Sequence, residues 1–334
     1  MIRKNIVLGL VLSLMIILAS SIGAAAKMPD GPSEPILLAS GYQVGIMGST
    51  VGPGGDLFFT EGATGTIYRM DKHNGDVSVF ASGLPTAIFP IGGPTDLVFV
   101  DEIAYVLVSI VGSDIGGSDV VGIYRVDGPT SFTPIADLGQ FALDYPSQSD
   151  VFILTGVHYS MEAYQGGLLV SDGHHNRILR VSLDGQVSEM IAFGNIVPTG
   201  LEVSGNTVYM AEAGPNPHLP ADGKVVSFGP DSDTATELAS GAPLMVDVEF
   251  GRGRLLYGLA QGDFPEGGGD GAPAMPNTGQ LVGVNPDGTF SVISEGLNQP
   301  VSMEIIQNDA YIFTFSGEIW LIENIGSAPF GTTH

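Results

Sequence analysis

The sequence predicts an all-β protein, a six-bladed β-propeller that its own N-terminal strand closes. A short apolar strand recurs along the 334 residues and is followed each time by a turn. Its copies begin at Ile67, Ile123, Ile178, Val225, Leu281 and Ile319. A recurrence every roughly 50 residues is typical of a propeller or a solenoid.

Each copy has the neighbours that a four-stranded blade requires. An apolar strand precedes it, as in "DLFFTE" and "GLLVSD", and an inner strand lies before that, as in "PTDLVFV" and "PTGLEV". A further strand follows and ends in a small residue and glycine, as in Ala81-Ser82-Gly83 and more loosely in Leu138-Gly139. Four short antiparallel strands per repeat indicate a propeller blade.

The two ends of the chain complement each other. The sixth repeat has no fourth strand with the glycine motif, whereas Ile36–Gly41 near the N-terminus carries that motif. We therefore expect Ile36–Gly41 to complete the last blade, because a closed ring protects its strand edges from pairing with other chains. The alternative is a seven-bladed ring whose extra blade lies within Asp127–Phe152.

Composition supports a β-rich fold held together without covalent links. Hydrophobic residues make up 44% of the chain, too many for disorder, and 48 glycines with 22 prolines are too many for a helical protein. The chain has no cysteine, which excludes disulfides, thiol catalysis and thiolate metal sites. Stability must therefore come from core burial.

The first 26 residues have the form of a secretory signal. Arg3 and Lys4 make a basic start, an apolar run follows, and Ala24-Ala25-Ala26 supplies the small residues of a cleavage site. We expect residues 1–26 to be removed and residues 27–334 to form one propeller domain in the periplasm or outside the cell. The alternative is that the apolar run is retained as a membrane anchor.

Charge restricts the partners of the exported chain. The formal net charge is −25, and a surface this acidic repels nucleic-acid phosphates and anionic lipids. We therefore expect no nucleic-acid partner and no membrane contact after signal removal. The sequence does not predict an oligomeric state.

Long insertions indicate where a small-molecule ligand binds. Three repeats lengthen the connection between their second and third strands, with "IVGSDIGGSDVVG", "AGPNPHLPADGK" and "GDFPEGGGDGAPAMPNTGQ". In a propeller these connections share one face with the loops that join consecutive blades. Loops that lengthen on one face of a rigid scaffold are where ligands usually bind.

Acidic residues at the ends of second strands predict a divalent metal site on that face. Glu61, Asp172 and Glu212 occupy equivalent places in three repeats, and carboxylate oxygens suit Ca²⁺ or another divalent cation. No other cofactor is predicted.

The inner strands carry further polar residues on otherwise apolar segments. A buried charge is costly without a partner, so these residues either bind a ligand or metal or line a water-filled central channel. The candidate ligand-binding residues on the inner strands are Asp96, His158, Glu202, Asp247, Glu249 and Glu304.

Histidines on the same face are further candidates for the site. His174 and His175 follow Asp172 in a tight turn, and we take Asp172, His174 and His175 as candidate catalytic residues because histidine titrates near neutral pH. The alternative is that the histidines form hydrogen bonds within the turn. His218 lies in the insertion of the fourth repeat and is a candidate ligand-binding residue.

Long runs of the chain resemble the ScyD/ScyE family of exported propellers, over nearly all of residues 27–334. The runs are "FPIGGPTDLVF", "DVVGIYRVDGP", "VSDGHHNRILRVSLDGQVSEMIAFGNIVPTGLEV", "VYMAEAGPNPHLPADGKVV" and "DVEFGRGRLLYGLAQG". The resemblance implies export and a late extracytoplasmic step in the biosynthesis of scytonemin, an indole–phenol pigment. It implies no catalytic residues. More remotely, the plan is similar to NHL repeats, to strictosidine-synthase-like proteins and to the SMP-30-like calcium-dependent lactonases, which place a divalent ion at the mouth of the ring.

Three functions are consistent with these observations. The first is the binding or processing of a small aromatic metabolite, with rim aromatics that stack on it, namely Phe89, Phe141, Tyr145, Phe152 and Phe264. The second is a divalent-metal-dependent, lactonase-like hydrolase. The third is a binding or scaffold propeller without catalysis, so the sequence leaves open whether the protein is an enzyme.

Overall fold

A computed structural model describes residues 31–43, 45–148, 152–269 and 271–327. Within them the chain forms 24 strands in six four-stranded antiparallel sheets. This confirms the predicted six-bladed β-propeller. The predicted signal, residues 1–26, lies outside the described residues.

Blades one to three take up the first half of the chain. Blade one contains β2–β5, at Ile46–Val51, Leu57–Glu61, Thr66–Met70 and Val77–Ser82. Blade two contains β6–β9, at Gly93–Val100, Ile103–Ser109, Gly122–Gly128 and Ser131–Asp137. Blade three contains β10–β13, at His158–Tyr164, Gly167–Asp172, Arg177–Ser182 and Val187–Ala192.

Blades four to six complete the ring. Blade four contains β14–β17, at Pro198–Ser204, Thr207–Glu212, Gly223–Phe228 and Thr236–Ala242. Blade five contains β18–β21, at Met245–Phe250, Leu256–Ala260, Gly279–Val284 and Phe290–Leu297. Blade six contains β22–β24 and the N-terminal β1, at Pro300–Ile306, Asp309–Thr314, Glu318–Ile322 and Ile36–Ser40.

The N-terminal strand closes the ring as predicted. β1 pairs antiparallel with β24, with Leu37 opposite Trp320 and Ser40 opposite Glu318. The seven-bladed alternative is wrong, because Asp127–Phe152 contributes strand β9 and the helix α1 at Leu138–Asp144 and no further sheet among its described residues. Leu138 and Gly139 therefore begin this helix and do not end a fourth strand. The Asp137 carboxylate caps the helix and accepts a hydrogen bond of 2.7 Å from the Gln140 backbone N–H.

Little helix is present besides α1. Three single 3₁₀ turns lie at Pro53–Gly55, Ser113–Ile115 and Arg252–Arg254. In the described part of the chain, no helix has the length and apolar character that a membrane span requires.

The hydrophobic core lies between the blades. Six clusters of buried side chains each join two consecutive blades. The cluster that joins the first and last blades packs Ile46 and Phe59 against Phe313 and Ile319. Each blade is therefore stabilised by both neighbours, and the ring needs no disulfide.

Each inner strand contains a β-bulge near its first residues. A bulge re-aims the side chains beside it. Residues at one level of the six inner strands, the fourth in β6 and the third in the other five, repeat the order glycine, aspartate, serine twice around the ring, at Gly48, Asp96, Ser160, Gly200, Asp247 and Ser302.

The two aspartates of this ring bind the next blade. Asp96 Oδ2 accepts a hydrogen bond of 2.6 Å from the Met161 backbone N–H, and Asp247 Oδ2 accepts one of 2.7 Å from that of Met303. Gly48 faces Asp96 and Gly200 faces Asp247 from the preceding blade, and a β-carbon at either glycine would collide with the aspartate. The glycines at these places make room for carboxylates that cross the gaps between blades.

Candidate functional site

An apolar cavity, called here the upper chamber, opens on the face that carries the loops between blades. It has two adjoining compartments of about 530 and about 110 Å³. The larger compartment is within the usual size range of small-molecule sites. Residues that line both compartments are Ile91, Ile110, Val157, His174, Gly271, Ala272, Pro273 and Phe315.

The chamber walls come from the loops that the sequence predicted to carry the site. Ile91 lies in the connection between blades one and two, Val157 in that between blades two and three, and Pro273 in the insertion of blade five. Ile110 begins the insertion of blade two with a φ of 56°, which is unusual for a β-branched residue. The strained turn directs a buried isoleucine to the chamber.

The predicted rim aromatics have three different surroundings. Phe89 and Phe152 line the larger compartment and are 43% and 75% exposed. Phe264 packs edge-on against His218, with ring centres 5.1 Å apart. Phe141 and Tyr145 instead pack together at 4.9 Å beside α1 and are absent from the chamber lining.

His174 and His218 both line the chamber. His174 is half-buried and touches both compartments. His218 lines the smaller compartment, and its Nδ1 donates a hydrogen bond of 3.2 Å to the Gly214 carbonyl. Both histidines border the space that a ligand in the chamber would occupy, and their functional roles stay predictions.

Asp172 and His175 belong to a buried network beside the chamber. Asp172 Oδ2 accepts hydrogen bonds of 2.9 Å from both His175 Nδ1 and Arg177 Nε. Burial by itself raises the pKa of Asp172, but the neighbouring His158, His175 and Arg177 outweigh burial and hold the pKa at about 2. His175 thus forms the hydrogen bond within the turn that the sequence left as an alternative.

His158 also lines the smaller compartment of the chamber and is absent from the lining of the channel, whose acids the sequence grouped with it. Its side chain is fully buried, and this burial lowers its pKa to about 4. His158 Nε2 lies 3.9 Å from Asp172 Oδ1, and neither atom has a hydrogen-bond partner among the described residues. His158 Nδ1 lies 3.5 Å from Ser109 Oγ. The imidazole is therefore neutral at neutral pH.

The three predicted metal ligands are engaged separately. Glu61 accepts hydrogen bonds from the Gln43 backbone N–H at 2.6 Å and from the hydroxyls of Thr64 and Tyr68. Glu212 is buried, which raises its pKa to about 7. Among the described residues, no three histidine, aspartate or glutamate side chains are placed to hold a metal ion. Glu61, Asp172 and Glu212 therefore do not form a common site.

A second cavity of about 260 Å³, called here the lower channel, lies beneath the chamber. The two cavities meet at four side chains, those of Met47, Tyr159, Val246 and Val301. The channel is lined by six carboxyl groups, those of Asp96, Glu162, Glu202, Asp247, Glu249 and Glu304.

Sequence reasoning found five of these six acids and missed Glu162. The signal was present, because "SMEA" in blade three matches "SMEI" in blade six, where Glu304 had been identified. Glu162, Glu202, Glu249 and Glu304 occupy the same level of four consecutive inner strands.

Burial in the channel favours the protonated form of several of its acids. Burial raises the pKa of Asp96 to about 7 and that of Asp247 to about 8. Burial also raises the pKa values of Glu162, Glu249 and Glu304 well above the ordinary range. No lysine, arginine or histidine is among the residues that line the channel. The predicted water-filled channel is thus a cavity of largely neutral acids.

Comparisons with known proteins support this architecture. No family model matches the sequence, and no curated protein matches it. Among solved structures, a gluconolactonase from Xanthomonas campestris is 12% identical with a TM-score of 0.60, over 86% of this chain and 89% of that one. The chain and this neighbour share the fold of a six-bladed β-propeller.

Other neighbours with this fold differ in what they do. The PQQ-bound aldose sugar dehydrogenase from Streptomyces coelicolor is 12% identical with a TM-score of 0.61, over 88% of this chain and 99% of that one. A chain of the nidogen–laminin complex is 16% identical with a TM-score of 0.53, over 78% and 85%. At these identities the likeness establishes the fold alone.

We predict that the folded protein becomes less stable as pH rises from 7 to 9. The folded channel holds protons that unfolded aspartate and glutamate, with pKa values near 4, have already lost, so stability falls as the pH passes the raised values. We expect a loss of about 2 kcal/mol, or roughly 4–8 °C in melting temperature. His158 and Asp172 titrate below this window and do not oppose the trend.

Thermal unfolding followed by circular dichroism measures this effect. The double variant Glu249→Gln, Glu304→Gln should flatten the pH dependence of the melting temperature. Glu102→Gln, at an exposed position in the turn between β6 and β7, is the matched control and should leave it unchanged. A melting temperature that is constant or rises between pH 7 and 9 would contradict the proton-holding channel.

Proposed function

We propose that the protein binds a small, flat, aromatic molecule in the upper chamber and acts on it there. One observation carries this proposal: a chamber of about 530 Å³ with apolar walls and with Phe89, Phe152 and Phe315 among its lining residues. Aromatic side chains contribute both apolar area and stacking geometry to flat ligands. The half-buried His174 supplies a polar group within the same space.

The resemblance to the ScyD/ScyE family supports an aromatic ligand of indole–phenol character. Under this proposal the protein takes part in a late step of scytonemin-type pigment formation, outside the cytoplasmic membrane. Export rests on the basic start, apolar run and alanines of residues 1–26. Mass spectrometry of the protein from the periplasm or medium should find Lys27 as the first residue, and an intact N-terminus would contradict cleavage.

Blocking the chamber should abolish ligand binding. Ile91 lines both compartments, so Ile91→Trp places an indole ring where the ligand would lie. We expect at least tenfold weaker binding of the neutral fluorescent probe naphthalen-2-ylmethanol, measured by fluorescence titration, because the added side chain fills the apolar space.

Ile103→Trp is the matched control for this experiment. Ile103 is 42% exposed and is the first residue of β7, on the face opposite the chamber. The control should bind the probe as the wild type does. If the wild type does not bind the probe, or if Ile91→Trp binds it unchanged, the chamber is not the ligand site.

A second candidate function is lactone hydrolysis, favoured by the fold shared with the gluconolactonase from Xanthomonas campestris. We assign the proton transfers to His174, which is half-buried and lines both compartments of the chamber. The imidazole removes a proton from water as the oxygen bonds to the lactone carbonyl carbon. The carbonyl carbon–ring oxygen bond then breaks, and the imidazolium returns its proton to the departing alkoxide.

A lactone panel tests this second function. Glucono-δ-lactone and dihydrocoumarin would be offered to the purified protein with and without EDTA. We expect His174→Gln to lower kcat/KM by about 100-fold or more, which is typical of losing a general base. His73→Gln, in the exposed turn before β5, should have no effect. Turnover that EDTA abolishes, or that survives His174→Gln, would contradict the histidine route.

A further inference from the structure

The upper chamber and the lower channel form one path along the axis of the propeller. Met47, Tyr159, Val246 and Val301 line both cavities and mark the boundary between them. Asp247 follows Val246 directly, and Glu304 lies three residues below Val301. With a rise of about 3.3 Å per residue, the acids begin roughly 3–10 Å beneath the boundary. A ligand that fills the chamber therefore has carboxyl groups directly under it.

The surroundings of the chamber carry negative charge as well. No lysine or arginine lines either cavity among the described residues. Lys224, at the chamber end of β16, forms an ion pair of 2.7 Å with Glu237. Asp119, Asp144 and Glu266 are exposed in segments of the same face. A ligand with a negative charge thus meets like charge at the rim and below the floor.

We propose that the upper chamber selects its ligands by charge: it accepts a flat ring system that bears a protonated amine and rejects one that bears a carboxylate. The ring packs against the aromatic walls, and the ammonium points down to the boundary, toward Asp247 and Glu304. This inference rests on the proposed function, because it assigns the charge of the aromatic ligand for the same chamber.

The physical reason is the low dielectric of the cavity. A carboxylate beneath the floor attracts an ammonium far more strongly there than it would in water. The titratable groups that face this path are Asp96, Tyr159, Glu162, Glu202, Asp247, Glu249 and Glu304 from the channel side, and His158, His174 and His218 from the chamber side.

These groups set the direction of the pH dependence. Burial raises the pKa of Asp96 to about 7 and that of Asp247 to about 8, so the channel gains negative charge between pH 6 and pH 8.5. This added negative charge strengthens the binding of an ammonium, weakens that of a carboxylate and leaves a neutral ligand unaffected.

Three matched probes test the proposal. Naphthalen-2-ylmethylamine, naphthalen-2-ylmethanol and 2-naphthylacetate share a ring system and carry positive, zero and negative charge. Fluorescence titration of the full-length processed protein at pH 8.5 should give a Kd for the amine at least tenfold below that for the acetate. Lowering the pH to 6 should narrow this ratio.

The variant Asp247→Asn locates the selectivity, because the pKa of Asp247 is about 8 and this acid gains its negative charge by pH 8.5. It should bring the amine and acetate Kd values several-fold closer together while the alcohol binds as before. Glu102→Gln removes an exposed carboxylate on the opposite face and should not change the ratio. If Asp247→Asn does not fold, the pH dependence of the wild type still decides the question.

The outcomes separate the two proposals. If none of the three probes binds, the proposed function fails. If the alcohol binds but the amine and the acetate bind equally well, or the acetate binds better, charge selection is overturned while the aromatic chamber stands. An amine-to-acetate ratio that does not change between pH 6 and 8.5 also overturns it.

Discussion

The carboxylates of Asp96 and Asp247 hold the inner ring of the propeller together, each by accepting a backbone N–H of the next blade. They stand three blades apart, on opposite sides of the axis. Each carboxylate fits only because a glycine, Gly48 or Gly200, stands on the preceding blade. Polar contacts on the inner strands thus link blade two to blade three and blade five to blade six, and the glycines let the neighbouring sheets approach.

This constraint places carboxyl groups inside a protein that has few cations to pair with them. The chain contains 36 acidic and 11 basic residues, and the described arginines and lysines are absent from both cavities. The channel acids therefore become neutral by keeping protons, which is the alternative to ion pairing for a buried carboxyl group. By contrast, Asp172 meets Arg177 and His175 and stays charged. Burial thus raises the pKa of Asp96 and Asp247 in the channel, whereas the neighbouring histidines and arginine lower that of Asp172.

The same geometry divides the axial cavity into an apolar half and an acidic half. The second residues of three inner strands, Met47, Val246 and Val301, are apolar and line the chamber. In blades three to six a channel glutamate stands three positions after the second residue of the inner strand. Because four blades repeat this spacing, the channel collects acids beneath the apolar chamber.

Blade number, strand order and ring closure follow from the sequence, because each depends on patterns that are local or repeat at a fixed spacing, such as the match of Ile36–Gly41 to the strand missing after Trp320. Most of the channel acids were also recognisable, since the channel glutamates occupy equivalent positions on the inner strands of blades three to six. Only the tertiary structure decided which acids meet. Glu61, Asp172 and Glu212 align in the repeats, but the described side chains do not form one metal-binding group, and Glu61 and Asp172 have separate partners, Gln43 and Arg177. Which side chains meet depends on their directions and distances in the folded ring, which spacing along the chain does not encode.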